Sequence, residues 1–178
     1  NYAGLTDSEK TNLVSWWNLD GVGYNSDSNN NIARDYVGSI GSELVTNGTF
    51  DTDSGWTKTG ATIGSGTTLI SEDSAYNRIT QTHSETTTTD NFYRLTYDVL
   101  SNTFSNASTG LNLGGAGSRY VGANKVIPST VGSHTYDFKS DNNGGELVIQ
   151  INNNTGSGSI TIDNVSLKEL SGNNGTLT

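Results

Sequence analysis

The sequence predicts an all-β domain, a sandwich or jelly roll of antiparallel strands, on three observations. Apolar residues make up only 31% of 178 residues, beside 22 Gly and a single Pro. The remainder is rich in Thr, Ser and Asn, which suit strands and turns better than helices. Alternating runs recur between turn signals at roughly 8–12-residue spacing, the rhythm of stacked strands. Within Glu43–Leu170 no helical periodicity competes.

Taken in order, Thr6-Asp7-Ser8-Glu9 has the spacing of a capping box and opens one or two turns of helix up to about Leu13. Leu13–Asp20 follows as a short strand that sends Trp16 and Trp17 to opposite faces. Tyr24–Asn31 is polar loop. Asn25, Asp27 and Asn29 alternate there like calcium-loop ligands, but Asn30 replaces the required Gly and Tyr36 stands where a bidentate Glu would close the loop. Glu43–Trp56 reads as the opening strand of a module, with a tight Asn47-Gly48 turn and an inward Phe50. Its mate is Ser159–Leu170, a strand interrupted at Asp163-Asn164.

Between these ends, Ala61–Ser71 reads as a hairpin around Gly64–Gly66. Tyr76–His83 alternates, with Tyr76, Arg78, Thr80 and Thr82 on one face and Asn77, Ile79, Gln81 and His83 on the other. Phe92–Leu100 places Tyr93, Leu95, Tyr97 and Val99 inward. Leu111–Leu113 is a strand, and the Gly-rich segment after it presents Arg119 and Tyr120. Ser133–Ser140 places Tyr136 and Phe138 inward. Glu146–Asn152 turns Leu147, Ile149 and Ile151 inward and Val148, Gln150 and Asn152 outward.

Composition removes several function classes. Eighteen acidic against nine basic residues give a net charge of −9, so a nucleic-acid backbone is repelled from most faces. There is no Cys, hence no disulfide framework and no thiolate chemistry. No apolar run approaches the ~20 residues of a membrane-spanning helix. The sequence starts at Asn1 without a signal-like segment, as expected of a mature chain or an excised fragment. Neutral polysaccharide remains compatible, and acidic side chains suit Ca²⁺.

The N-G-x-F opening at Asn47–Phe50, the Gly55-Trp56 pair and the closing run Ile162–Leu167 together resemble the galactose-binding-like jelly rolls. Among these are carbohydrate-binding modules of families four, nine, sixteen and twenty-two. The resemblance covers Glu43–Leu170 and implies a jelly-roll β-sandwich of two antiparallel sheets. Many proteins of this layout are domains of secreted bacterial and viral proteins, which implies an extracellular location and a larger multidomain parent. The resemblance also turns the Ile79/Gln81 face inward and leaves Tyr76 and Arg78 on the open side. It further implies a structural Ca²⁺ tying the opening to the closing strand through Asp51 and Asp163 with backbone carbonyls; the family usually has Glu where this chain has Asp51. The alternative is that both carboxylates merely accept turn and backbone hydrogen bonds.

A second resemblance lies in the flanks. LVSWWNLDG from Leu13, ARDYVGS from Ala33 and SGNNGTLT from Ser171 are similar to the start of a concanavalin-like, laminin-G-type lectin domain. This divides the chain into 1–42, the start of a lectin-like domain, 43–170, an inserted jelly-roll module, and 171–178, a tail resuming the host. The competing reading makes both flanks ordinary tails clasping the sandwich.

Sugars are held by aromatic faces flanked by side chains that bond hydroxyls in pairs. Tyr76, Arg78, Gln150 and Asn152, with Arg119 and Tyr120 from the Gly-rich loop, supply those chemistries. Catalysis finds less support. Asp51/Asp53 and Glu72/Asp73 read as solvated turns rather than a glycosidase pair, and neither His83 nor His134 has an evident nucleophile beside it. The expectation is therefore a non-catalytic module binding a polysaccharide, a β-glycan by preference. The alternative is a structural or adhesion domain of a virion or cell-surface protein, without sugar affinity.

Overall fold

The computed structural model describes residues 32–34, 40–73, 76–83, 90–115, 120–142, 145–152, 156–170 and 174–176. The chain divides into two compact units, one of residues 39–171 and one of residues 1–38 together with 172–178. In the latter, the described backbone is an antiparallel ladder of β1 (Ile32–Arg34) and β13 (Asn174–Thr176), with Ala33 opposite Gly175. The helix expected before Leu13, the Trp16-Trp17 strand and the ligand-like Asn25, Asp27 and Asn29 lie outside the described residues.

Residues 39–171 form an all-β jelly-roll sandwich of two antiparallel sheets. The six-stranded sheet runs β10 (Gly132–Lys139), β7 (Phe92–Asn102), β12 (Ser159–Leu170), β5 (Thr67–Ser71), β4 (Ala61–Gly64), and β2 (Ile40–Glu43) also pairs with β12. The five-stranded sheet runs β3 (Thr57–Thr59), β6 (Arg78–Thr82), β11 (Glu146–Ile151), β8 (Leu111–Leu113), β9 (Lys125–Ile127). No helix among the described residues is long and apolar enough to cross a membrane.

Period-two alternation builds the core. Leu95, Tyr97 and Val99 of β7 and Ile160, Ile162 and Leu167 of β12 face Ile79, Leu111, Leu113, Leu147, Ile149 and Ile151 of the other sheet, all buried. Burying each such side chain contributes about 1.5–3 kcal/mol. Ile162 and Val165 are an odd number of residues apart, so both point inward only if the strand carries an extra residue. It does: the register shifts between Asp163 and Ser166, and Asn164 takes φ +51°. In the β4–β5 hairpin, Ser65 and Gly66 have φ +56° and +73°, the two positive values that a twist-matched two-residue turn requires.

The expected opening strand at Glu43–Trp56 differs. Strand pairing stops at Glu43, although Leu44 N–H still donates to Leu167 O at 2.9 Å. Positive φ at Asn47 (+53°) and Phe50 (+51°) then curls the chain into a loop that plugs one edge of the core. Val45, Phe50 and Trp56 are buried there, with the Phe50 and Trp56 rings 5.4 Å apart. Gln81, inward as the resemblance implies, is satisfied by this loop. Its amide donates to Thr46 O (2.8 Å) and Gly55 O (2.9 Å), and its Oε1 accepts Thr46 N–H (2.8 Å).

Candidate functional site

The two outer sheet faces differ in how their polar groups are used. On the six-stranded sheet, the ladders align Asp137, Arg94, Lys168 and Glu43 in one row. Arg94 gives both Nε and Nη2 to Asp137 at 2.7 Å, and Lys168 lies 3.9 Å from Glu43. Its charges neutralise one another across neighbouring strands.

On the five-stranded sheet the ladders align Thr59, Arg78, Gln150, Asn112 and Val126 across all five strands. At ~4.8 Å per strand, such a row spans roughly 19 Å. These residues alternate with the inward Ile79, Ile149 and Leu111, so they belong to the outer face. Arg78 is half-buried and Val126 exposed, while Gln150 and Asn112 are each only 2% accessible. Gln150 Nε2 donates to Asn124 Oδ1 at 2.9 Å. Asn112 Oδ1 has no hydrogen-bond partner, alone among the buried side-chain polar atoms of the described residues. A buried acceptor in that condition costs about 1–3 kcal/mol.

Tyr76 sits just before this row with φ +68°, outside β6 rather than inside a strand as its alternation implies. Its N–H donates to Ile151 O at 3.3 Å, and its side chain is 56% exposed. The neighbouring Asn77 donates its amide to Ser71 O (2.9 Å) and Asp73 Oδ1 (2.7 Å). Asn152 is exposed, and its Oδ1 accepts Gly110 N–H at 2.8 Å, clasping the start of β8 to the end of β11. Arg119 lies outside the described residues.

Tyr120 is a correction. It was expected on a loop over the open face, yet it is 1% accessible in the core. Its hydroxyl bonds His83 Nδ1 at 2.7 Å, and its ring meets Tyr93 edge-on at 4.8 Å. Pairing with those two rings holds the side chain inside. Val148 and Gln150, expected on an open outward face, are on the outer face but buried. Asn112 and Asn124 join this face without belonging to the expected ligand set. Asn112 was legible as the alternate position between two core leucines; nothing in the sequence marked Asn124.

Asp51 Oδ2 accepts the Thr49 hydroxyl at 2.6 Å, and Asp163 Oδ1 accepts Asn164 N–H at 2.6 Å. Among the carbonyls near residues 47–49, Asn47 O accepts Phe50 N–H (3.2 Å) and Trp56 Nε1–H (3.0 Å) and Gly48 O accepts Val165 N–H (2.9 Å), while the Asn47 amide donates to Thr52 O (2.7 Å) and Ser54 O (2.8 Å). Among the described residues no group of three or more His, Cys, Asp or Glu gathers to hold a metal.

The chain is thus an all-β jelly-roll sandwich with a polar row across one outer sheet face. No family model matches it, and no curated protein does. Among solved structures it is similar to the second N-terminal cellulose-binding domain of Cellulomonas fimi β-1,4-glucanase C, with 13% identity and a TM-score of 0.47, covering 72% of this chain and 95% of that one. It is also similar to the CBM22-1 xylan-binding domain of Paenibacillus barcinonensis Xyn10C, with 12% identity and a TM-score of 0.43, covering 75% and 96%. A family 29 carbohydrate-binding module mutant matches at 11% identity and a TM-score of 0.41, covering 72% and 89%. With TM-scores below 0.5, none of these proteins lends its ligand to this chain.

Proposed function

We propose that the chain is a non-catalytic carbohydrate-binding module that takes a polysaccharide, a β-glycan by preference, along the outer face of the five-stranded sheet. The observation that carries this reading is the row Arg78–Gln150–Asn112 with its unpartnered Asn112 Oδ1. A sugar hydroxyl is both donor and acceptor, so one hydroxyl group can give its proton to Asn112 Oδ1 while another accepts from the Arg78 guanidinium. Tyr76 supplies the exposed aromatic surface at the edge of the row. Arg119 and Asn152 remain in the proposed ligand set, Asn152 through its amide nitrogen because its oxygen is engaged with Gly110.

The test is affinity electrophoresis and calorimetry with soluble glucans, xylans and mannans. Binding by wild type that weakens in Arg78→Ala supports the reading, and no binding across the panel overturns it.

One observation favours the second reading, a structural or adhesion domain without sugar affinity: Gln150 and Asn112 are only 2% accessible. A ligand reaches them only if the side chains around them yield. Wild type that binds none of the panel would favour that reading.

Ca²⁺ at Asp51 and Asp163, with backbone carbonyls near residues 47–49 and from the loop after Trp56, is a separate part of the proposal. The proposed context is extracellular. There residues 1–42 and 171–178 belong to a lectin-like host within a larger protein, a placement supported by the β1–β13 ladder that joins the two flanks.

A further inference from the structure

By sequence alone Glu72 is half of a solvated acidic turn. It is fully buried at the end of β5, and its carboxylate gathers donors from two distant segments. Oε2 accepts Ser105 N–H (2.6 Å), Ser105 Oγ–H (2.9 Å) and Gly158 N–H (2.9 Å). Oε1 accepts Asn106 N–H (3.0 Å) and the Thr109 hydroxyl (2.5 Å). The Glu72 backbone N–H adds a bond to Gly158 O at 2.8 Å. Ser105 Oγ in turn accepts Ser157 N–H at 2.9 Å, so the two segments are tied to each other as well as to Glu72.

Two glycines make the approach possible. A Cβ on Gly156 would lie 2.0 Å from Glu72 Cδ, and one on Gly158 would lie 2.0 Å from Thr103 O. Five donors fill the roughly four lone-pair sites of a carboxylate. Neither a metal nor a substrate has a place on it, which sets it apart from a catalytic acid or a cation ligand.

What it does follows from where its partners lead. Thr109 is followed by Gly110, clasped to Asn152 through Gly110 N–H to Asn152 Oδ1 (2.8 Å) and Asn152 N–H to Gly110 O (3.3 Å), and then by β8 with Asn112. Glu72 itself leads through Asp73 and Tyr76 into Arg78 of β6, with Ile151 N–H on Asn77 O at 3.0 Å. Every strand bearing a polar member of the Arg78–Gln150–Asn112 row has its nearest end at this cluster.

We propose that Glu72 is a positioning residue for that row: its carboxylate holds the 103–110 and 156–158 segments against the end of β5 and so fixes how β6, β8 and β11 present Arg78, Asn112 and Gln150. The inference deepens the sugar-binding reading and rests on it for its ligand, but the geometry it asserts is measurable without one.

The experiment compares wild type with Glu72→Gln and with the milder Thr109→Val, which removes one donor and leaves the carboxylate in place. Amide hydrogen exchange is followed by NMR, and affinity is measured on soluble glucan, xylan and mannan. In Glu72→Gln, exchange at Gly110, Ile151 and Asn152 is expected to accelerate about tenfold or more, and Thr109→Val to move the same amides less. His83, whose N–H bonds Gly145 O at the other end of β6, is expected to stay as in wild type. Affinity for whichever polysaccharide wild type binds is expected to fall about tenfold. Unchanged exchange at Gly110 and Asn152, or equal acceleration at His83, overturns the proposal, since the first shows no clasp and the second shows only general loosening. If wild type binds no polysaccharide, the sugar reading fails, and the exchange pattern still decides the positioning role. If Glu72→Gln does not fold, Thr109→Val decides it by the same pattern.

Discussion

Asn112 stands directly opposite Gln150 in the β8–β11 ladder, yet only one of the two amides is satisfied: Gln150 Nε2 reaches Asn124 at 2.9 Å, while Asn112 Oδ1 has no partner. A fold under selection for stability alone gains by replacing that asparagine with an apolar residue.

Asn112→Leu is accordingly expected to leave stability unchanged or raise it by about 1 kcal/mol, because the orphaned acceptor disappears and apolar volume takes its place. The same substitution is expected to weaken polysaccharide binding about tenfold or more. Chemical denaturation and calorimetric titration of the one variant check both halves.

Glu72 is expected to contribute to the acid sensitivity of the fold. Burial pushes its carboxyl up, but hydrogen bonds from Thr109, Ser105, Asn106 and Gly158 outweigh that and hold it down to about 2, from an ordinary 4.5. The folded state therefore binds this proton less readily than the unfolded one. Its contribution is complete above pH 4.5 and is lost as pH falls from there toward about 2. Denaturation midpoints across that interval should decline more steeply in wild type than in Glu72→Gln, which has no such proton to bind.

Tyr120→Phe is expected to lower stability by about 1 kcal/mol through the lost bond to His83, and to leave polysaccharide affinity as in wild type. An affinity loss without loss of stability would return Tyr120 to the ligand set.

Thermal unfolding in Ca²⁺ and in EDTA checks the metal part of the proposal. A higher Tm in Ca²⁺, lost in Asp163→Ala, is the outcome that part requires. Equal Tm values would remove Ca²⁺ and leave the Asn47 amide as what closes the 47–54 loop, with sugar binding still standing.

The strands were legible wherever one face alternates cleanly. β7 turns Tyr93, Leu95, Tyr97 and Val99 inward as its pattern demands, and the break in the pattern of β12 at Asp163-Asn164 marks a real bulge. Periodicity assigns a residue to a face but does not say how accessible that face is, so alternation makes Val148 and Gln150 outward and open whereas both are outward and buried. Glu72 and Asp73 are adjacent carboxylates with opposite fates, one buried and one exposed. What separates them is Ser105, Asn106, Thr109 and Gly158, brought from at least 33 residues away. Tyr120 likewise finds His83 across 37 residues of chain. Contacts of that range depend on the assembled sheets, and no local pattern announces them.

The most direct test of the central claim is a calorimetric titration of soluble glucan, xylan and mannan into wild type and Arg78→Ala side by side. The account predicts saturable binding of at least one of these by wild type and a loss of about tenfold or more in Arg78→Ala, whose guanidinium is the charged donor of the row. Equal affinity in the two proteins would contradict the placement of the site on this face, and no heat from any of the three polysaccharides with wild type would contradict carbohydrate binding itself.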